Sequence, residues 1–411
     1  MKKRNIILII SIVVLLVVCS VMGITVFNKH KTTQNKTLTI AFYDTDKSIK
    51  DALTSLIQEF GQANEKIISF YNIDGQEELS EQIKTNKIDL IIAPAGYAVK
   101  KVVTAADEKA SAPEQCLTQM FSTMQQSAIS KNKKLLGVPL VFDNLEINID
   151  LSQFYTSGMT SIATWKDIEE FVQGQKEKLD YPVSFAGAEP VFLLDLLGAL
   201  CEAFDGIDAY NNAARILNQD VLYNTFDAKE TAARLFYGED APLASSINYL
   251  KEYSKNACLT PASRQLKHTD INSYIKQRVT HVFFTTLSVH RTYDTKAIGR
   301  FSSIYVPSQE RPTQRHFTAT TTYALPVKAS KKELTDSLIT FLVSAETQGK
   351  LSQMTGLAPV LANCTTADKQ ADDARFWIAA TSTPVAGLGH EAPFTKEQLE
   401  QLRNAIWELM F

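Results

Sequence analysis

The chain has 411 residues, of which 45% are hydrophobic and 21% charged, with a formal net charge of −3. These values exclude a disordered chain, a collagen-like repeat and a multi-span membrane protein. So small a charge sets up no long-range field to draw phosphate backbones, so nucleic acid is not an expected partner, and the length exceeds what one ordinary core fills, so two lobes are expected.

In chain order, Lys2-Lys3-Arg4 precede an uncharged, mostly apolar run from Ile6 to Phe27. A run of about 20 such residues meets lipid, and the basic flank stays inside, exporting the remainder of the chain. Three fates are open: an uncleaved anchor, a lipid anchor on Cys19 after the Leu16-Val17-Val18 stretch, or cleavage and release. Val18 is large for a lipoprotein processing site, which favours the uncleaved anchor. The polar, basic segment Asn28 to Lys36 reads as a tether, so residues 1–35 are assigned to signal or anchor and tether. Cys116, Cys201, Cys258 and Cys364 form no CxxC pair, which leaves disulfides or buried free thiols and no structural zinc.

The body begins with a β-prone run, Leu38 to Tyr43. A helical pattern at Ile49, Leu53, Leu56, Ile57 and Phe60 comes next, then a strand at Ile67 to Tyr71. Glu77 to Thr85 has helical spacing at Leu79 and Ile83, and Ile88 to Ala93 is a strand ended by Pro94 and Gly96. Strands apolar on both faces and alternating with helices imply a parallel, doubly wound α/β lobe. Val138 to Phe142 continues past Asp143-Asn144 into Leu145 to Ile149 as one long extended segment. Thr164 with Asp167 three residues on reads as a capping box opening a helix. Strand and helix signals at Pro182 to Phe185, Phe192 to Phe204, Ser246 to Tyr253, His281 to Thr286 and Tyr305 to Pro307 fill a second lobe. Phe317 to Pro326 is again extended, a helix carries Leu334, Leu338, Phe341 and Leu342, and Thr395 to Met410 ends the chain as a helix.

Several of these strings occur together in one order. Val138-Pro139-Leu140-Val141-Phe142-Asp143-Asn144-Leu145, Thr164-Trp165, Phe317 to Pro326, and Phe341 to Gln348 with Gly356-Leu357-Ala358-Pro359 resemble the solute-binding proteins of ABC importers, of the maltose-binding type. The resemblance covers nearly the whole exported chain. It implies an α/β periplasmic-binding-protein fold of two doubly wound lobes joined by crossing hinge strands. The first lobe would take residues 36–142 plus 315–365 and the second 143–314 plus 366–411. It implies a small saccharide held in the cleft, a separate ABC permease in the membrane, a monomer on the outer face of the cytoplasmic membrane or in the periplasm, no cofactor and no catalysis.

The same resemblance points to ligand-binding residues. Asp46 and Lys47, after the first strand, match an acidic residue and a lysine that reach sugar hydroxyls; a solvated loop pair is the ordinary alternative. Asp143 matches an acidic ligand residue in the crossover, or is a hydrogen-bonded hinge carboxylate. Glu189-Pro190-Val191-Phe192 resembles a Glu-Pro-aromatic motif at the cleft wall, with Val191 where an aromatic is usual. Phe376-Trp377 resembles a pair whose tryptophan stacks on a pyranose, although a core tryptophan is the plain alternative. Trp165 and Trp407 are assigned to packing. Two departures stand out: Ala93 and Gly96 replace an aromatic and an acid after the third strand, and Thr286-Leu287-Ser288 replaces a Gly-x-Trp signal, with His290 beyond it. A short saccharide, a sugar alcohol or a modified sugar is therefore expected rather than a maltodextrin, with Tyr43, Tyr97 and Tyr323 as substitute flat walls. A sensing or adhesive role on the same fold is the alternative. A glycosidase using Asp143 and Glu189 is the weakest reading, since no nucleophile elbow, zinc-protease motif or P-loop occurs, and Gly387-Leu388-Gly389 reads as a turn.

Overall fold

The computed structural model describes residues 37–73, 78–222, 226–238, 240–309 and 315–410. The expectations for the apolar N-terminal run, the tether and Cys19 lie outside the described residues. Among those described, no helix is long and apolar enough to cross a membrane. Cys116, Cys201, Cys258 and Cys364 are all free and buried.

The strands in chain order are β1 (Thr37–Phe42), β2 (Ile67–Asn72), β3 (Leu90–Pro94), β4 (Ile129–Lys131), β5 (Lys134–Asp150), β6 (Val183–Ser184), β7 (Val282–Thr286), β8 (Phe301–Ile304), β9 (His316–Pro326) and β10 (Ser382–Val385). They join in the order β2-β1-β3-β9-β5-β7-β6, with β10 beside β9 and with β4 and β8 beside β5. β1 lies parallel to β2 and β3, and β6 parallel to β7, as alternation with helices requires. The sheet as a whole is mixed rather than purely parallel, because β9 runs antiparallel to both β3 and β5.

The long extended segment is a single 17-residue strand, β5. Its first half pairs with β9 from Val138 to Asn144, and its second half leaves β9 to pair with β7 and β8 from Leu145 to Asp150. Asp143-Asn144 is the point of that change, so the two polar residues mark a switch of hydrogen-bonding neighbours and not an end of strand. The signal at Tyr305 to Pro307 falls just beyond β8. A proline cannot donate to a ladder, and pairing stops at Ile304.

Packing follows the apolar pattern. On β1, Leu38, Ile40 and Phe42 enter one core with Leu53, Ile92 and Ile339. Ala41 and Tyr43 point the opposite way, to Ile91, Leu136 and Tyr323, which is why the run is apolar at consecutive positions. A third core holds Ile147, Trp165, Phe185, Leu197, Phe283 and Trp407. After residue 366 the chain serves two of these cores: Ala371, Ala374 and Ile378 pack with Leu38 and Ile40, and Leu388, Leu402 and Ile406 with Trp407.

Two local signals hold in the fold. Thr164 and Asp167 form a reciprocal capping box at the head of the Trp165–Lys176 helix. Trp407 is fully buried, stacks on Phe185 at 6.0 Å, and donates its indole N–H to the Gly187 carbonyl at 3.0 Å. Trp407→Ala therefore removes a large buried ring and a hydrogen bond together, and is expected to cost about 3–5 kcal/mol. Chemical denaturation checks this; a cost below about 1 kcal/mol would mean the pocket around the ring collapses freely.

Candidate ligand-binding cleft

The carboxyl ends of β1 and β3 meet the crossing stretches of β5 and β9 around an open pocket. This is where open α/β sheets bind ligands, since strand ends leave a crevice there. Asp44, Asp46 and Pro94 line it from the β1–β3 side. Asp143 and Leu145 come from β5, and Thr318, Thr320 and Thr322 from β9. The three threonines are spaced by two, so one face of the strand carries all three hydroxyls. Ile49, Asp195, Thr286, Gly387 and His390 complete the wall.

Each acidic side chain is held differently. Asp46 is the N-cap of the Lys47–Ala63 helix, and its Oδ1 accepts the N–H groups of Ser48 at 2.8 Å and Ile49 at 3.4 Å. Asp143 accepts the Ser288 N–H at 2.9 Å and the Ser288 hydroxyl at 2.5 Å. Burial pushes the Asp143 carboxyl up to about 6, outweighing the Ser288 and Thr286 hydrogen bonds that pull it down. Asp195 is 4% exposed, and its Oδ1 accepts the Gly389 N–H at 2.7 Å. Asp44 has a left-handed backbone, φ 48°, that turns its side chain out of the β1 line. Burial raises its pKa, and the nearby His390 lowers it.

His390 sits in the short helix Leu388–Glu391, with Nδ1 3.3 Å from Asp195 Oδ2. Burial pulls its pKa down, but Asp195, then Asp143 and Asp44, outweigh that and hold it above the ordinary histidine value. The same short helix touches the opposite wall. Lys100 pairs with Glu391 at 2.5 Å, and Gly96, at φ 100°, lies so close to the His390 carbonyl that an added Cβ would stand 2.3 Å from its oxygen. Gly387 donates its N–H to the Thr320 hydroxyl at 3.0 Å.

Of the residues expected from the sequence, Asp46 and Asp143 line this pocket and the others do not. Lys47 is exposed and pairs with Asp51 at 2.5 Å on its own helix. Tyr43 is buried below the cleft, its hydroxyl pushed up to about 12 by burial, then by Asp44 and Tyr97. Tyr97 opens the following helix with Lys101 over its ring. Tyr323 is buried and bonds the Ser127 carbonyl at 2.9 Å. Glu189 stands at the head of the Pro190–Asp205 helix and accepts the His268 N–H at 2.8 Å. Phe192 is buried edge-on against the His268 ring at 4.6 Å, and His290 is buried on Glu146 at 2.6 Å. Trp377 packs between Tyr305 and Phe317, with ring centroids 5.8 and 5.9 Å away.

Sequence reasoning missed Asp44, Asp195, His390 and the threonine row. The row had a legible signal, a period-two run of hydroxyls in a strand; Asp195 and His390 had none, since each meets the pocket only through the fold. Among the described residues no group of histidine, cysteine and carboxylate side chains is arranged to hold a metal ion.

No protein-family model matches the chain, and no curated relative matches it significantly in sequence. Solved structures do. The bacterial solute receptor AcbH, described with an exclusive preference for β-D-galactopyranose, matches with a TM-score of 0.68 at 13% identity over 91% of this chain and 96% of its own. A chitin oligosaccharide binding protein matches with a TM-score of 0.63 at 12% identity over 91% and 98%. The apo form of RafE from Streptococcus pneumoniae matches with a TM-score of 0.62 at 14% identity over 92% and 99%. At such identities the likeness establishes architecture: the chain has the α/β fold, with its curled mixed sheet, of periplasmic-binding-protein-type solute receptors.

Proposed function

We propose that the chain is the exported capture subunit of an ABC-type importer. It binds a small saccharide or related polyhydroxylated solute by closing two lobes on it, then delivers it to a separate permease. It works as a monomer at the outer face of the cytoplasmic membrane, held there by its N-terminal segment. One observation carries the reading: carboxylates and hydroxyls from the loop after β1, from β5, β7 and β9, and from the Pro190–Asp205 helix converge on one pocket at the strand ends. Such a set of acceptors and hydroxyls suits a ligand rich in O–H donors. Release to a permease calls for affinity on the order of micromolar, about −8 kcal/mol, which a handful of hydrogen bonds supplies. The structures reported to bind galactose and chitin oligosaccharides share this fold and support the same class of ligand.

The test is a thermal-shift and calorimetric screen of mono- and oligosaccharides against the full-length chain, since a ligand of the folded state alone raises its melting temperature. Asp143→Asn is expected to weaken the binding found by about tenfold, because a charged acceptor is replaced by a neutral one. Trp377→Ala is expected to change it less than about threefold, in keeping with the packing of that ring. A large loss with Trp377→Ala and none with Asp143→Asn would move the site to the Trp377 cluster. Absence of any shift would favour a sensing or adhesive role.

A further inference from the structure

We propose that the cleft selects a cationic, amine-bearing polyhydroxylated solute over its neutral counterpart, an inference that rests on the capture reading above. Asp44, Asp46, Asp143 and Asp195 line the pocket, and among the described residues His390 is its single basic side chain. The nearby lysines are engaged elsewhere: Lys47 on Asp51, Lys50 over the Phe42 ring, and Lys100 on Glu391.

These carboxylates are only partly satisfied by the protein. Asp46 has its helix to cap, and Asp143 has Ser288. The Asp44 side chain accepts no hydrogen bond among the described residues. Asp195, 4% exposed and lining the pocket, has one oxygen on the Gly389 N–H. Its other oxygen accepts no hydrogen bond among the described residues and faces His390 Nδ1 at 3.3 Å, an atom that is itself buried without a hydrogen-bond partner. A neutral ligand closing over this site buries negative charge with hydroxyl donors alone. An ammonium brings three N–H donors and the compensating charge, so charge-assisted hydrogen bonds replace the lost water.

Below its raised pKa, His390 is the cation that occupies the site when the ligand is absent. Around it stand Asp195 from the Pro190–Asp205 helix, Asp143 from β5 and Asp44 from the loop after β1. Glu391 in its own helix is neutralised by Lys100, and the Tyr210 hydroxyl, from the Ile207–Leu222 helix, is turned to the Ala386 carbonyl at 2.5 Å. A ligand ammonium competes with the His390 proton. Its affinity therefore falls as pH drops and His390 becomes protonated, and falls further as Asp143 takes up its proton near 6.

The test is calorimetry on the full-length chain with D-glucosamine and D-galactosamine against D-glucose and D-galactose, between pH 5.5 and pH 7. The amino sugars are expected to bind at least tenfold tighter than their neutral partners at pH 7, with that preference narrowing toward pH 5.5. Asp44→Asn, with no side-chain hydrogen bond to lose among the described residues, keeps the fold and is expected to reduce the preference at least threefold. His390→Gln is expected to weaken its pH dependence, leaving the part that Asp143 contributes near 6. Equal or tighter binding of the neutral sugars overturns the charge inference and leaves the capture reading standing. Absence of binding by all four sugars and by raffinose overturns the capture reading and this inference together.

Discussion

Glu202→Ala is expected to destabilise the chain by about 3–5 kcal/mol, the range for removing one partner of a buried, hydrogen-bonded ion pair. Glu202 is 3% exposed on the Pro190–Asp205 helix. Its carboxylate accepts the Arg315 Nε–H at 2.9 Å, a second guanidinium N–H at 2.5 Å, and the backbone N–H of His316 at 2.8 Å. The pair thereby fastens the start of β9, one of the two crossing strands, to a helix of the third core. Truncation leaves a buried guanidinium without its counter-charge and an orphaned backbone donor. Glu202→Gln keeps an acceptor for His316 and is expected to cost roughly half as much, because the charge is lost and the geometry is kept. Denaturant unfolding followed by tryptophan fluorescence reads both, since Trp165 and Trp407 lie in that core. A cost under about 1 kcal/mol for the alanine variant would show that β9 is held without this pair.

Gly387→Val is expected to abolish ligand capture in practical terms, with an affinity loss of about a hundredfold. A Cβ at position 387 would stand 2.1 Å from Asp195 Oδ1 and 2.2 Å from its Cγ. The aspartate sits 4% exposed in a packed wall and must be driven off its bond to Gly389. The Gly387 N–H bond to Thr320 lies in the same wall, so one side chain disturbs two pocket-lining groups. Overpacking of this kind also costs stability, roughly 1–3 kcal/mol. Calorimetry with the best saccharide of the screen, beside a melting curve, separates the two effects. Affinity within threefold of the parent chain would show that the ligand does not touch this wall.

The site residues legible from sequence share one property: their signal is local. Asp46 and Asp143 are readable because each stands at a place in the strand order, after the first strand and within the long extended segment, where the resemblance implies an acidic ligand residue. Trp377 was equally visible as a residue type, yet an aromatic near the end of a chain carries no mark of whether it meets Tyr305 and Phe317 or a sugar ring. Glu189 and Phe192 fit a motif in composition, and His268 occupies both. A hydrogen-bonding partner nearly eighty residues away leaves no trace in a local motif.

By itself the sequence determined the pieces. Period and apolarity set β1 and β3 as strands buried on two faces, the Thr164–Asp167 box set a helix start, and the extended segment from Val138 to Ile149, interrupted by Asp143-Asn144, set one long strand. These depend on neighbours within a few residues, where backbone geometry dictates what can form. Only the tertiary structure decided the mixed pairing of that sheet and the identity of the cleft. Asp195 and His390 lie 195 positions apart and meet because β9, the Pro190–Asp205 helix and the Leu388–Glu391 helix pack together. The charge of the pocket is set by which side chains converge there, and convergence is a property of packing that no stretch of residues encodes alone.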